Sequence, residues 1–145
     1  MLRSASPLTK PERRQLEFTS EETTRGIRVH VVARYSRQQS RPDQGRWFFI
    51  YTVTITNEGS STVQLVSRRW IIDNADGETD EVRGDGVVGE QPILAPKEQF
   101  EYSSGCALTT PFGTMHGTYQ MLVEDGTVFD ATIAQFTLSE PYTVH

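Results

Sequence analysis

The chain has a single cysteine, Cys106, in 145 residues, so it cannot close an internal disulfide or build a cysteine-ligated zinc site. That shortage fits a reducing cytoplasm. Nor is there an apolar run near the ~20 residues needed to cross a bilayer, and "MLRSASPLTKPERRQLEF" at the start has no apolar core of a signal peptide, so no membrane insertion is expected. Basic charge is short too: 14 Lys and Arg against 19 Asp and Glu give a net charge of −5. Nucleic acid is therefore not an expected partner, because displacing counterions from phosphates needs clustered cations. The three histidines, His30, His116 and His145, show no metal-ligand spacing. No stretch sustains a 3.6-residue apolar period, so helices are not expected either.

What is present is alternation. "GIRVHVVARY" sets Ile27, Val29 and Val31 on one face, and "RWFFIYTVTITNEG" sets Phe49, Tyr51, Val53 and Ile55 on one face before breaking at Asn57-Glu58-Gly59. "VQLVSRRWIIDNADG" is rich in β-formers, and "TDEVRG" is a short polar run of edge character. "QFEYSSGCAL" aligns Phe100, Tyr102, Ser104, Cys106 and Leu108, and "TMHGTYQMLVEDG" aligns Met115, Gly117, Tyr119, Met121 and Val123 before a hairpin signal at Asp125-Gly126. "TVFDATIAQFTL" returns with Phe129, Ala131 and Ile133. About seven short strands with alternating faces predict an all-β, antiparallel immunoglobulin-like or fibronectin type III-like sandwich. Residues 1–22, with Pro7 and Pro11, are expected to form a flexible N-terminal extension, and 23–145 one domain.

"VRGDGVVGEQP", residues 82–92, spells G-x-G-x-x-G with Gly84, Gly86 and Gly89. A dinucleotide fingerprint works because a helix follows it and turns free N–H groups and a partial positive charge on the pyrophosphate. Here Pro92 and Pro96 fall within the first turns of any such helix, at about 3 kcal/mol for an interior proline. Asp85 and Glu90 would repel an anion. The preferred reading is a tight, twisted strand connection whose glycines permit positive φ. A weaker ligand-binding reading keeps the loop as an anion nest helped by Arg83, with Arg68 or Arg69 nearby. Seven carboxylates between Asp73 and Glu90, opposed by Arg83, read as a charged edge strand kept from aggregating rather than a cation site. Cys106, in phase with Phe100 and Tyr102, is expected to be buried and inert, and Trp70 and Tyr119 to be core aromatics. No nucleophile, base and oxyanion hole assemble, and no cofactor is called for. The loop 109–117, "TTPFGTMHG", is a second candidate contact surface.

The segments "RRWIIDNADG", "EVRGDGVVGEQPILAP", "FEYSSGCALTTPFGTMHGTYQM" and "FDATIAQFTL", running in order through residues 25–140, resemble the ApaG family. The resemblance implies a fibronectin type III-like sandwich and makes Gly84, Gly86 and Gly89 the family's glycine motif, a candidate pyrophosphate site. It also implies a link to cobalt and magnesium efflux, and gene neighbourhood with a diadenosine tetraphosphate hydrolase. The domain's use in a eukaryotic F-box protein and a polymerase-delta-interacting protein implies a protein-binding role, and no enzymatic activity comes with it. A protein partner is therefore expected, with a homodimer left open. The chain departs from the family pattern at Arg69, where histidine is frequent, and at Pro96-Lys97-Glu98, where Pro-Gly-Glu is frequent. The latter exchange predicts a type I turn in place of one needing positive φ.

Overall fold

A computed structural model describes residues 16–141. Nine antiparallel strands follow in order: β1 Glu17–Thr24, β2 Ile27–Tyr35, β3 Trp47–Asn57, β4 Val63–Asn74, β5 Thr79–Asp85, β6 Ile93–Leu94, β7 Gln99–Leu108, β8 Phe112–Val123 and β9 Val128–Ser139. One sheet has the order β1-β2-β3-β7; the other is β5-β4-β8-β9, with β6 pairing the start of β4. The two sheets form a fibronectin type III-like sandwich.

All seven expected strands form, and each expected apolar face turns inward. Val29, Val31, Val53 and Ile55 are fully buried, and Tyr119, Met121 and Ala131 meet them from the other sheet. Fully burying one such large side chain stabilises the fold by about 1.5–3 kcal/mol. The alternation is not continuous, however. Leu65 and Trp70 both face inward although an odd number of positions separates them, because Val66 bulges between the pairs Leu65↔Met121 and Ser67↔Gln120. Likewise Met115↔Phe136 and Gly117↔Ile133 leave one extra residue in β9, at Ala134–Gln135. Each bulge has a tethered carbonyl. Gly86 N–H and the Gln91 side-chain amide donate to Val66 O at 2.8 and 2.9 Å, and Ser20 Oγ donates to Ala134 O at 2.7 Å.

Two expectations need correction. The boundary of the N-terminal extension at residue 22 falls inside β1, where Glu17–Glu22 pair with Val29–Arg34 of β2. The strand holds because its hydroxyls reach across to the other sheet: besides Ser20, Thr24 Oγ1 accepts from Thr132 N–H at 3.1 Å. The remainder of that expected extension, residues 1–15, lies outside the described residues. The turn at Pro96-Lys97 is not type I either, since Lys97 has φ 78°. Glu98 N–H closes on Ala95 O at 3.0 Å, and Lys97 N–H donates to Asn57 O at 2.7 Å. These bonds hold lysine in a left-handed conformation that costs about 1–2 kcal/mol and that glycine would adopt freely.

The sandwich is unequal at its two sides. β1 and β9, edge strands of opposite sheets, pack against one another; no comparable packing joins β7 to β5. That second side is open, and the candidate site lies beside it.

Candidate functional site

The glycine motif leaves the end of β5 and turns toward β6 without a helix. Gly86 and Gly89 do take positive φ, 59° and 80°. Gly86 has a further reason to be glycine: a Cβ there would sit 2.1 Å from Glu90 O. Gly84, expected to share that role, differs. It lies within β5 opposite Arg68, and its missing side chain makes room for the Arg68 guanidinium, 2.7 Å from where a Cβ would be. Several amides are already committed inside the fold. Gly86 N–H goes to Val66 O, and Val87 and Glu90 donate to each other's carbonyls at 2.8 and 2.9 Å. Val88, 54% exposed with φ 43°, is a β-branched residue in a left-handed conformation at the tip.

The arginines around this motif divide between the two faces of the sheet. On the outer face, Arg69 and Arg83 lie opposite each other on β4 and β5 and converge on Glu81. Arg69 Nε donates to Glu81 Oε2 at 2.9 Å, and Arg83 Nε donates to the same oxygen. Hydrogen bonds from Arg69 and then Arg83 hold the Glu81 carboxyl below its ordinary range. With Ser67, Thr118, Gln120 and Asp130, the two arginines line a shallow depression of about 450 Å³ that Arg68 also borders. Of the expected site residues, Arg83 and Gly84 border it; Gly86 and Gly89 do not.

On the inner face, Arg68 donates to Asp85 O and Gly86 O at 3.0 and 2.8 Å and has no carboxylate partner among the described residues. It stands at one end of a cleft of about 410 Å³ between the sheets, along the open side. Tyr51, Trp70, Ile72 and Cys106 line it from within, and Val82, 42% exposed, from the edge strand. Asp80 borders the other end, without a side-chain hydrogen bond or ion pair among the described residues. Trp70 is 2% exposed, yet its indole Nε1 has no hydrogen-bond partner. Its ring packs against Tyr51, centroids 5.2 Å apart, and edge-on to Tyr119 and Phe136.

The hydroxyl groups nearby are held protonated. Tyr102 and Tyr119 share a hydrogen bond, and burial raises both. Burial also raises Tyr51, while the Ser104 hydroxyl beside it pulls the other way. The Cys106 thiol is pushed up to about 11, first by burial and then by the nearby Asp80 charge, so it is a poor nucleophile at neutral pH.

Other expectations resolve locally. The segment 109–117 is mostly not a loop: β8 begins at Phe112, and only Thr109–Pro111 connect the strands. Its glycines serve close strand packing, since a Cβ on Gly117 would lie 2.0 Å from Arg69 O and one on Gly113 2.3 Å from Asp73 O. His30 and His116 sit half-buried on separate sheets, and among the described residues no group of His, Cys, Asp and Glu could hold a metal ion. His145 lies outside the described residues. No helix among them is long and apolar enough to cross a membrane. Sequence reasoning named Arg68 only as a spare cation and passed over Tyr51, Asp80 and Val82 as a cleft lining. The available signal was parity: Asp80, Val82 and Gly84 alternate onto one face of β5.

The comparisons agree with this architecture. Residues 37–123 match the family profile described as ApaG domain, DUF525. Protein ApaG of Thiobacillus denitrificans is 54% identical over 119 residues, 82% of this chain and 94% of that protein. Protein ApaG of Pseudomonas aeruginosa is 52% identical over 124 residues, 86% of this chain and 98% of that one. The crystal structure of a Bordetella pertussis protein named ApaA superposes with a TM-score of 0.78 at 52% identity, over 81% of this chain and 95% of the other. With the sandwich, the glycine connection and these likenesses in agreement, the chain belongs to the ApaG domain family.

Proposed function

We propose that this chain is a non-enzymatic binding module that takes an extended segment of a protein partner along the free edge of β7. The carrying observation is that edge itself: among the described residues, Gln99–Leu108 pairs with β3 on one side and with no strand on the other. Sheet edges are usually blunted by lysine, proline, bulges or a covering loop. β7 has a single charged residue, Glu101, no lysine and no proline, whereas the edge strand β5 has Asp80, Glu81, Arg83 and Asp85. An unblunted edge offers backbone donors and acceptors to an added strand, and pockets beside it select alternate side chains. In this reading the family's link to cobalt and magnesium efflux lies in which cytoplasmic protein is held, not in chemistry at a metal.

Selection from a displayed library of random heptapeptides, followed by amide exchange, tests the reading. Enriched peptides are expected to bind at micromolar strength and to slow exchange in β7. Enriched peptides that protect another element, or a library yielding none, would reject it.

A second reading, a binder of nucleotide or pyrophosphate ligands through Gly84–Gly89, has one observation in its favour: Arg69 and Arg83 share a depression with Gly84. Against it weigh Glu81, Asp85 and Asp130 around the same depression. Calorimetry with pyrophosphate, ATP and diadenosine tetraphosphate decides. Micromolar binding lost in Arg83→Gln favours this reading; no heat at millimolar ligand removes it.

A further inference from the structure

The cleft beneath the β7 edge has a polarity, which the side-chain contacts allow to be ordered. Tyr102 of β7 meets Tyr119, which stands opposite Arg68 on β4. Ser104 stands opposite Tyr51, whose ring lies on Trp70. Asp80 is close enough to Cys106 to help hold its thiol protonated. From Tyr102 to Cys106, β7 therefore runs from the Arg68 end to the Asp80 end. On the facing edge strand the same levels are marked by Gly84, Val82 and Asp80, opposite Arg68, Trp70 and Ile72. Gly84 and Asp80 are four residues apart, roughly 13 Å at about 3.3 Å per residue. A cation stands at one end, a carboxylate at the other, and an apolar stretch with one unsatisfied indole donor between them.

We propose that this cleft selects, among extended partner segments, those that run antiparallel to β7 and carry a basic, an aliphatic and an acidic side chain at alternate positions, in that order from the N-terminus. The basic group reaches Asp80, the aliphatic one covers Val82 and the Trp70 ring, and the acidic one reaches Arg68. The inference rests on the reading of β7 as a docking edge and adds a sequence rule to it. Three observations support the rule independently of the edge. Arg68 and Asp80 lack ionic partners among the described residues. Val82 is exposed on the strand face that looks into the cleft. The Trp70 ring lines the cleft between those two charges, its buried indole N–H without a hydrogen-bond partner.

Two blocked synthetic peptides of identical composition form the test: Thr-Lys-Thr-Val-Thr-Glu-Thr and Thr-Glu-Thr-Val-Thr-Lys-Thr. Each is titrated into the full chain and followed by calorimetry, β7 amide exchange and the Trp70 indole N–H resonance. The first is expected to bind about ten-fold more tightly, the size of two partly screened ion pairs, and to move the indole signal. Asp80→Lys, a change on an exposed edge strand, is expected to erase the preference while leaving the fold intact. Arg68→Gln is expected to reduce it as well.

Equal binding of both peptides with β7 protected would overturn the charge rule and leave the docking edge standing. A preference for the second peptide would overturn the rule too. Failure of both peptides to protect β7, in a chain that does bind library-selected peptides there, likewise removes the rule. Failure of every peptide at β7 removes both readings. A concentration-dependent dimer in sedimentation, with β7 protected before any peptide is added, would make a second copy the occupant and overturn the proposal.

Discussion

The two long sides of this sandwich solve the same problem in opposite ways. At the β1–β9 side each sheet ends in a strand whose partner sheet reaches it. Ser20 bonds the bulged carbonyl of Ala134, Thr24 caps Thr132, and Ile133 behind them is 1% exposed. At the β7–β5 side the edges stand apart, Val82 is 42% exposed, and Arg68 and Asp80 border a cleft without ionic partners among the described residues, beside the buried ring of Trp70. The difference is not one of hydrophobicity, since both sides carry aromatic and aliphatic residues. It lies in whether a strand is supplied to cover them. A fold that invests β1 in one side leaves the other with a long edge free of lysine and proline, the edge along which the proposed partner segment would pair.

Truncation inside the sealed side tests this most strongly. Ile133→Ala is expected to destabilise by about 2–5 kcal/mol, and Val82→Ala at the open side by under about 0.5 kcal/mol, read from urea unfolding. Comparable losses at the two sites would erase the distinction.

Alkaline unfolding gives the next largest effect, and it reports the interior wall of the open side. The Cys106 thiol ionises near 9.0 when exposed and at about 11 in the fold. Between those values the unfolded chain has lost a proton that the folded one keeps, so stability falls as pH rises from 9 to 11. Below 9 this contribution is fully present. The fall from this group is about 2–3 kcal/mol, at about 1.4 kcal/mol per unit. Tyr51, Tyr102 and Tyr119, all raised by burial, add to it in the same sense above 10.0. Cys106→Ala should flatten the part between pH 9 and 10 in urea titrations; an unchanged slope would mean the thiol is already open to solvent.

The smallest effect isolates the strap across the sealed side. Ser20→Ala removes the donor to Ala134 O and is expected to cost about 1 kcal/mol, with faster exchange in β1. No change in either would show that β1 is held by its pairing with β2 alone.

Most strands were legible because a period of two needs no partner to be seen: Ile27, Val29 and Val31, or Phe49, Tyr51, Val53 and Ile55, declare a buried face locally. The prolines behind Gly89 were equally local, and they excluded a helix that does not form. β1 was not legible, because "EFTSEETT" is polar and becomes a strand through Ser20 and Thr24 reaching another sheet. The bulges at Val66 and Ala134 were hidden for the same reason, since a bulge is a mismatch between two strands. Lys97 misled because its neighbours, not its own preference, set its φ. At the candidate site, Arg83 and Gly84 were found as a motif, but the division of Arg68 from Arg69 and Arg83 depends on which face each position occupies.

The sequence alone determined an all-β chain, the inward faces of its strands, the absence of a helical phosphate pole and the family, because each of these is carried by near neighbours in the chain. Only the tertiary structure decided that β1 seals one side, that Gly84 yields its space to Arg68, and that Arg68, Trp70, Val82 and Asp80 share one cleft. Those are meetings of residues on different strands, and sheet order and register, not local preference, bring them together.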